Sequence, residues 1–168
     1  MLVEKMREVV KGRLCPRNAE HFSFHDDPPL KGGRRLGKRR PRVDIAIERA
    51  APGPRPWFQF EAKRLKTPRH VAAFLGRDGL GCFVSGRYGA DLRDVGMLGY
   101  VQARKVSEWA FEIEQRLESG RSLHLMPTGA PAWKARVLGS ALPDTFHSMH
   151  DRARHGLVNV FHTLFRCY

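Results

Sequence analysis

Residues 43–65 read VDIAIERAAPGPRPWFQFEAKRL: two alternating runs on either side of a turn rich in proline and glycine. In Val43–Glu48 apolar and polar residues alternate strictly, which is the period of a half-buried strand. Trp57–Leu65 repeats the pattern with aromatic residues, and Ala50–Pro56 carries turn chemistry between them, so the stretch predicts a β-hairpin. Side chains alternate between the two faces of a strand. Val43, Ile45 and Ile47 therefore share one face, and Asp44, Ala46 and Glu48 the other. On the second strand Phe58, Phe60, Ala62 and Arg64 lie opposite Gln59, Glu61, Lys63 and Leu65. Pairing the strands predicts a patch of Asp44, Glu61 and Lys63 on the floor of a cleft.

Two carboxylates held together repel, which raises one pKa unless a cation lies between them. A hard divalent ion resolves the repulsion: Mg²⁺ takes oxygen ligands, keeps several waters, and needs only one or two carboxylates plus substrate phosphate oxygens. Such an ion activates water and offsets charge on phosphorus and the leaving oxygen. Lys63 would position or deprotonate the attacking water or offset developing charge, and Gln59 on the same face would orient water or phosphate. The competing reading is an ordinary hairpin with charged residues on its solvent face.

Arg42–Ile47 followed by Phe58–Lys63 resembles the core of the restriction-endonuclease-like, or PD-(D/E)xK, nuclease superfamily. The resemblance covers roughly residues 1–66 at motif level. It implies an α/β (α+β) fold, a central mixed β-sheet flanked by helices, with Mg²⁺ as cofactor and Mn²⁺ as a substitute. Carried over, Asp44 matches the first metal-binding acid, Glu61 the second and Lys63 the catalytic lysine, with the backbone carbonyl of Ala62 as a further metal ligand. Many members also use a glutamate from the preceding helix, for which Glu4 and Glu8 are the candidates; solvated helix charges are the competing reading. Val43 stands directly before Asp44 where the family name has proline, with Pro41 nearby. The implied activity is a Mg²⁺-dependent endonuclease acting on DNA in bacterial restriction or phage defence.

Composition points the same way. The chain has 168 residues, enough for one domain with a core and too few for two comfortable ones, so residues 1–168 are read as a single nuclease-like domain. Lys and Arg number 30 against 17 Asp and Glu, a net charge of +13 that fits a polyanionic partner through counterion release. Arginine used as a general solubiliser is the alternative. Residues 31–42, KGGRRLGKRRPR, hold seven basic residues and no acid and predict a flexible loop. Arg34, Arg35, Lys38, Arg39 and Arg40 in it are candidate phosphate contacts. In the glycine-dense stretch 86–101, Arg87 would meet phosphate and Tyr88 would stack on a base. These features leave two further function classes open, a non-catalytic nucleic-acid-binding module and an RNase toxin. Cutting both strands of a duplex needs two sites, which a homodimer supplies.

Residues 2–14 predict an amphipathic helix, with Leu2, Val3, Met6, Val9, Val10 and Leu14 at helical spacing. Residues 21–25 predict a short strand closed by Asp26–Pro29, and residues after Pro68 one or two helical turns. The 86–101 stretch is expected to end in a helix packed on the sheet. A helix beginning at Ser107-Glu108 follows, and then short strands at 133–142, 144–150 and 157–166, the last also readable as a helix. His147, His150, Asp151 and His155 cluster late in the chain but lack the context of a zinc or ββα-metal site. Cys15, Cys82 and Cys167 follow no metal-binding spacing and read as thiols of a reducing compartment, which predicts a cytoplasmic protein. No signal peptide and no membrane-length apolar run is apparent. Walker A, GxGxxG and GxSxG motifs are absent, which leaves ATP hydrolysis, dinucleotide binding and serine-hydrolase chemistry without support.

Overall fold

A computed structural model describes residues 2–12, 19, 21–30, 40–50, 57–119, 133–138, 142–152 and 154–168. The helices are α1 (Leu2–Lys11), α2 (Arg69–Leu75), α3 (Leu80–Val84) and α4 (Val106–Glu118). The strands are β1 (Phe22–Asp26), β2 (Ile45–Arg49), β3 (Trp57–Leu65), β4 (Asp94–Val101), β5 (Lys134–Ala135), β6 (Thr145–Arg152) and β7 (Gly156–Arg166). The strands form a seven-stranded mixed sheet in the order β1-β2-β3-β4-β7-β6-β5, an α+β fold as the sequence predicts. The chain divides into two compact units, Met1–Phe60 and Glu61–Tyr168, the boundary falling inside β3.

In the first unit, α1 buries Val3 and half-buries Met6 and Val10, positions spaced to share one helix face. Val9, placed in the apolar stripe by its spacing, is instead exposed. The Arg7 guanidinium donates to the Phe24 carbonyl at 2.7 Å, tying α1 to β1. The β1–β2 and β2–β3 pairs are antiparallel, with Phe24 opposite Ile47 and Ile45 opposite Phe60, as a hairpin requires. The turn expected at 50–56 lies almost wholly outside the described residues. Strand β2 starts at Ile45, two residues later than the alternation predicts. Pro28 and Pro29 lack amide donors and Asp27 takes a positive φ of 47°, so regular pairing stops at Asp26. The chain is nonetheless pinned there: the Asp27 amide donates to the Asp44 carbonyl at 3.0 Å and Leu30 to Pro41 at 2.9 Å.

In the second unit, β4 runs parallel to β7, and β6 is antiparallel to both β7 and β5. One expectation is corrected here and one is resolved. Residues 94–101 form a strand, not a helix: Val95–Gly99 are all buried, and a parallel strand covered on both faces reads as an unbroken apolar run without alternation. Residues 156–166 form the longest strand, which resolves the ambiguity left by their periodicity. Of the strand expected at 133–142, the described residues 133–138 and 142 contain Lys134–Ala135 as strand, and 139–141 lie outside the described residues. Gly99 sits where β-carbon space is lacking, since a Cβ there would meet Leu164 Cδ2 at 2.5 Å and Leu65 Cδ1 at 2.9 Å.

Helix α4 begins at the Lys105 N-cap, two residues before the expected Ser107, and the Glu108 carboxylate at the third helical position accepts the Lys105 amide at 3.4 Å. Trp109, Ala110, Ile113 and Leu117 are buried, while Phe111 is exposed. The Trp109 indole donates to the Ala103 carbonyl at 2.6 Å, satisfying the one polar group this large ring carries inside. Among the described residues no helix is long and apolar enough to cross a membrane.

Candidate active site

Strand β3 carries the acid and the lysine. Its burial is uneven: Gln59, Glu61 and Leu65 are buried and Lys63 half-buried, while Phe58 and Arg64 are exposed. The carboxylate-bearing face is thus the inward one, the reverse of a hairpin whose charges face solvent. Glu61 is 5% exposed. Its Oε1 accepts a hydrogen bond from Lys63 Nζ in a part-buried ion pair, which the i, i+2 spacing of a strand allows. Because both side chains rise from the same regular strand, their relative position is set by the backbone and not by a loop.

Helix α3 and the residues after it complete this neighbourhood. The turn at Gly86 has φ +71°, and a Cβ there would meet the His155 ring at 2.4 Å, so only glycine lets the chain double back. The Tyr88 amide then returns to the Cys82 carbonyl at 3.0 Å. One amine of Arg87 donates to the Arg77 carbonyl and to Asp78 Oδ1, both at 2.8 Å, and to Cys82 Sγ at 2.6 Å. The guanidinium also lies over the Tyr88 ring, 5.4 Å from its centroid.

The charges act on one another. Burial pushes the Cys82 thiol up and Glu61 adds to that, while Arg87 and Lys63 oppose it. A protonated Cys82, donating to the Arg77 carbonyl at 3.2 Å, is therefore the favoured form. Burial likewise raises the Tyr88 phenol, with Cys82 and Glu61 contributing, so Tyr88 offers a neutral hydroxyl and an aromatic face. The Arg87 hydrogen bond holds the Asp78 carboxyl below its usual range, and Lys63 adds to the effect. Arg87 is raised above its ordinary value, first by its contact with Cys82, and stays charged.

The second unit thus holds two contacting pairs, Glu61 with Lys63 and Arg87 with Tyr88, all named from the sequence, and the Glu61 charge acts on Tyr88. In the first unit, Asp44 is half-buried in the bend just before β2. The β2–β3 ladder ends on Ile45 and Phe60, the residues that follow Asp44 and precede Glu61 in the chain. Gln59 is buried, and its Oε1 has no hydrogen-bond partner among the described residues. Glu4 and Glu8 are exposed on α1. Of the basic loop, Arg34, Arg35, Lys38 and Arg39 lie outside the described residues, and Arg40 is half-buried.

Among the described residues no group of three or more His, Cys, Asp or Glu side chains gathers to hold a metal ion. A divalent ion at Glu61 would therefore be held by few protein oxygens, with water and phosphate completing its shell. That is how Mg²⁺ is usually bound, and a buried carboxylate beside a backbone carbonyl suits it.

Sequence reasoning missed two features. Ser148 and His150 on β6 and His162 on β7 form a buried polar network, the Ser148 hydroxyl lying 2.8 Å from His150 Nε2 and 2.7 Å from His162 Nε2. Of the late cluster only His150 belongs to it; His155 and Asp151 are exposed, and His147 contacts Asn159 Oδ1 at 3.3 Å. The period-two spacing of Ser148 and His150 was a signal for one shared face. The second feature is the set of cations that follows Lys63. No family model, curated protein or solved structure matches the chain.

Proposed function

We propose that the chain is a divalent-metal-dependent phosphodiesterase that cleaves nucleic acid, DNA in preference to RNA. The observation that carries this reading is the burial of the Glu61 carboxylate against Lys63 on a rigid strand, with the Tyr88 phenol close enough to feel the Glu61 charge. Glu61 and the carbonyl of Ala62 would hold Mg²⁺ or Mn²⁺, with Asp44 as the further acid that the superfamily resemblance implies. When bound, the ion supplies an activated water and neutralises charge at phosphorus. Lys63 then orients the attacking water and offsets charge developing on the phosphoryl oxygens. Arg87 receives a neighbouring phosphate and Tyr88 presents its ring to a base. A cytoplasmic setting in bacterial restriction or phage defence, and a homodimer that cuts both strands, complete the proposal. The free thiols Cys82 and Cys167 are compatible with that compartment.

Supercoiled plasmid and a structured RNA are incubated side by side with Mg²⁺, Mn²⁺ or EDTA. Metal-dependent cleavage should fall by about 100-fold or more in Glu61→Gln and in Lys63→Ala, with circular dichroism unchanged. Undiminished cleavage in those variants would sink the assignment. Metal-independent binding without any cleavage would favour a non-catalytic module, and RNA-only cleavage an RNase.

A further inference from the structure

Two residues beyond Lys63, strand β3 ends at the buried Leu65, whose carbonyl accepts the Gln102 amide at 2.9 Å. The turn into α2 is then locked by one side chain. His70 Nδ1 accepts the backbone amides of both Lys66 and Thr67, each at 3.0 Å. The His70 amide donates back to the Thr67 carbonyl at 2.8 Å and Val71 to the Pro68 carbonyl at 3.1 Å. Two N–H groups converging on Nδ1 require a lone pair there, so the ring is neutral and its proton sits on Nε2. A turn clamped in this way fixes the points from which Lys66 and Arg69 leave the backbone.

Arg64, Lys66 and Arg69 are exposed around that clamp, and none of their side chains makes a hydrogen bond or ion pair to a described residue. All three are near enough to His70 for their charges to depress its pKa, after the larger effect of burial. Like charges concentrated without a counter-ion repel, so the arrangement opposes folding and is relieved by an anion. Lys66 stands three residues past Lys63, about 10 Å of extended chain. Arg64 leaves β3 on the face opposite Lys63, so a strand gripped at Arg64 and Lys66 passes round the end of β3 to set an adjoining phosphate, and not the same one, at Glu61 and Lys63.

We infer that Arg64, Lys66 and Arg69, with the Nε2–H of His70, form a backbone-gripping patch for a nucleic-acid strand whose neighbouring phosphate lies at Glu61 and Lys63. The inference rests on the nuclease reading for the identity of its ligand. It adds a binding surface that sets which phosphate reaches the acid–lysine pair.

The test is metal-free binding of a fluorescent DNA duplex in EDTA, followed by anisotropy across a salt series. Each phosphate contact contributes about 0.9 to the slope of log K against log salt. The triple variant Arg64→Gln, Lys66→Gln, Arg69→Gln should lose about 2–3 from that slope and at least about tenfold in affinity at ~0.1 M salt. A charge-matched control, Lys134→Gln, Arg136→Gln, Arg154→Gln, should lose less than about 1. Equal losses in both triples, or none in the first, would overturn the patch. Tighter binding to phosphatidylglycerol vesicles than to the duplex would overturn it as well, pointing to a membrane surface. His70→Asn, which keeps an acceptor for the two amides but holds its own N–H donors closer to the backbone than Nε2, should retain the thermal midpoint and weaken DNA binding severalfold; unchanged binding would remove His70 from the patch. The two readings fail separately. Undiminished cleavage in Glu61→Gln with a reduced slope in the triple variant would reject the nuclease and keep the patch, and the opposite pattern would reject the patch alone.

Discussion

Acidification should unfold this protein through His150 and His162 before its carboxylates titrate. Both rings are fully buried and share the single hydroxyl of Ser148. One hydroxyl proton can be donated to only one ring, so the other ring must donate to the oxygen. Two neutral imidazoles in opposite tautomers satisfy that pattern, whereas two imidazolium ions do not. Neither Nδ1 has a partner among the described residues, and the His162 ring packs on Trp133 at 4.6 Å and Phe74 at 5.8 Å. Among the described residues no carboxylate acts on these rings, and the remaining nearby charge, His147, is of the same sign when protonated. Burial, reinforced by His147, lowers His150 from 6.5 to about 4; burial, with His150 and His147 adding, lowers His162 well below its ordinary value.

The unfolded chain takes up these protons near pH 6.5, and the folded protein resists until near pH 4. Stability is therefore fully present above about 6.5 and is lost as the pH falls from there toward 4. For His150 alone the loss reaches about 2 kcal/mol at pH ~5 and roughly 3 kcal/mol below pH 4. His162 adds in the same direction. In a chain of this size 2 kcal/mol corresponds to about 4–8 °C in melting temperature. Urea denaturation at several pH values, read by tryptophan fluorescence, measures the effect. His150→Gln should flatten the pH dependence by about 2 kcal/mol between neutrality and pH ~5, while the exposed control His155→Gln should leave it unaltered. Parallel curves for the native protein and His150→Gln, or a His150 ring resonance titrating near 6.5, would refute the reasoning.

Two packing predictions follow. Gly99→Ala should lower the urea midpoint by the equivalent of about 1–3 kcal/mol, because the new methyl would lie within 3 Å of Leu164 and Leu65; a rise, as the strand preference for a side chain would give, would show that those two leucines can yield. Arg152 is buried and donates to the carbonyls of Gly89 at 2.8 Å, Leu92 at 2.9 Å, His155 at 3.2 Å and Gly156 at 3.3 Å. Arg152→Lys should cost about 2–4 kcal/mol by thermal denaturation, since an ammonium cannot reach that spread of acceptors, and near-native stability would refute the bridging role.

The hairpin strand β3 was legible in the sequence because its residues alternate, and its limits, Trp57 and Leu65, are those the pattern predicts. Strand β4 was not, because its alternation is erased where both faces are covered. Glycines at 96 and 99 then read as turn or helix-packing residues when Gly99 in fact marks close approach by Leu164. Within the candidate site, the positions of Glu61 and Lys63 on one face follow from the period of two. The burial of that face does not, because it depends on the packing of elements remote in sequence. The same holds for the buried histidines: His162 reaches Ser148 diagonally across the β6–β7 ladder, where Ser148 pairs with Val160 and Phe146 with His162. No local pattern links residues 14 apart in sequence; only the register does.

Glu61 bears on the choice between an enzyme and a binding module. Removing a carboxylate from water costs several kcal/mol, and a half-buried lysine returns only part of it, so an apolar pair of similar size would serve stability as well or better. Nor does the pair help to bind DNA directly. A polyanion is drawn by exposed cations such as Arg64, Lys66 and Arg69, and a carboxylate beside Lys63 repels the phosphates those cations attract. A buried acid at the centre of a basic chain thus weakens both of the roles a binding module has to fill. On the proposed reading it would become an asset, since a divalent cation between it and the phosphate would draw its affinity from the same negative charge.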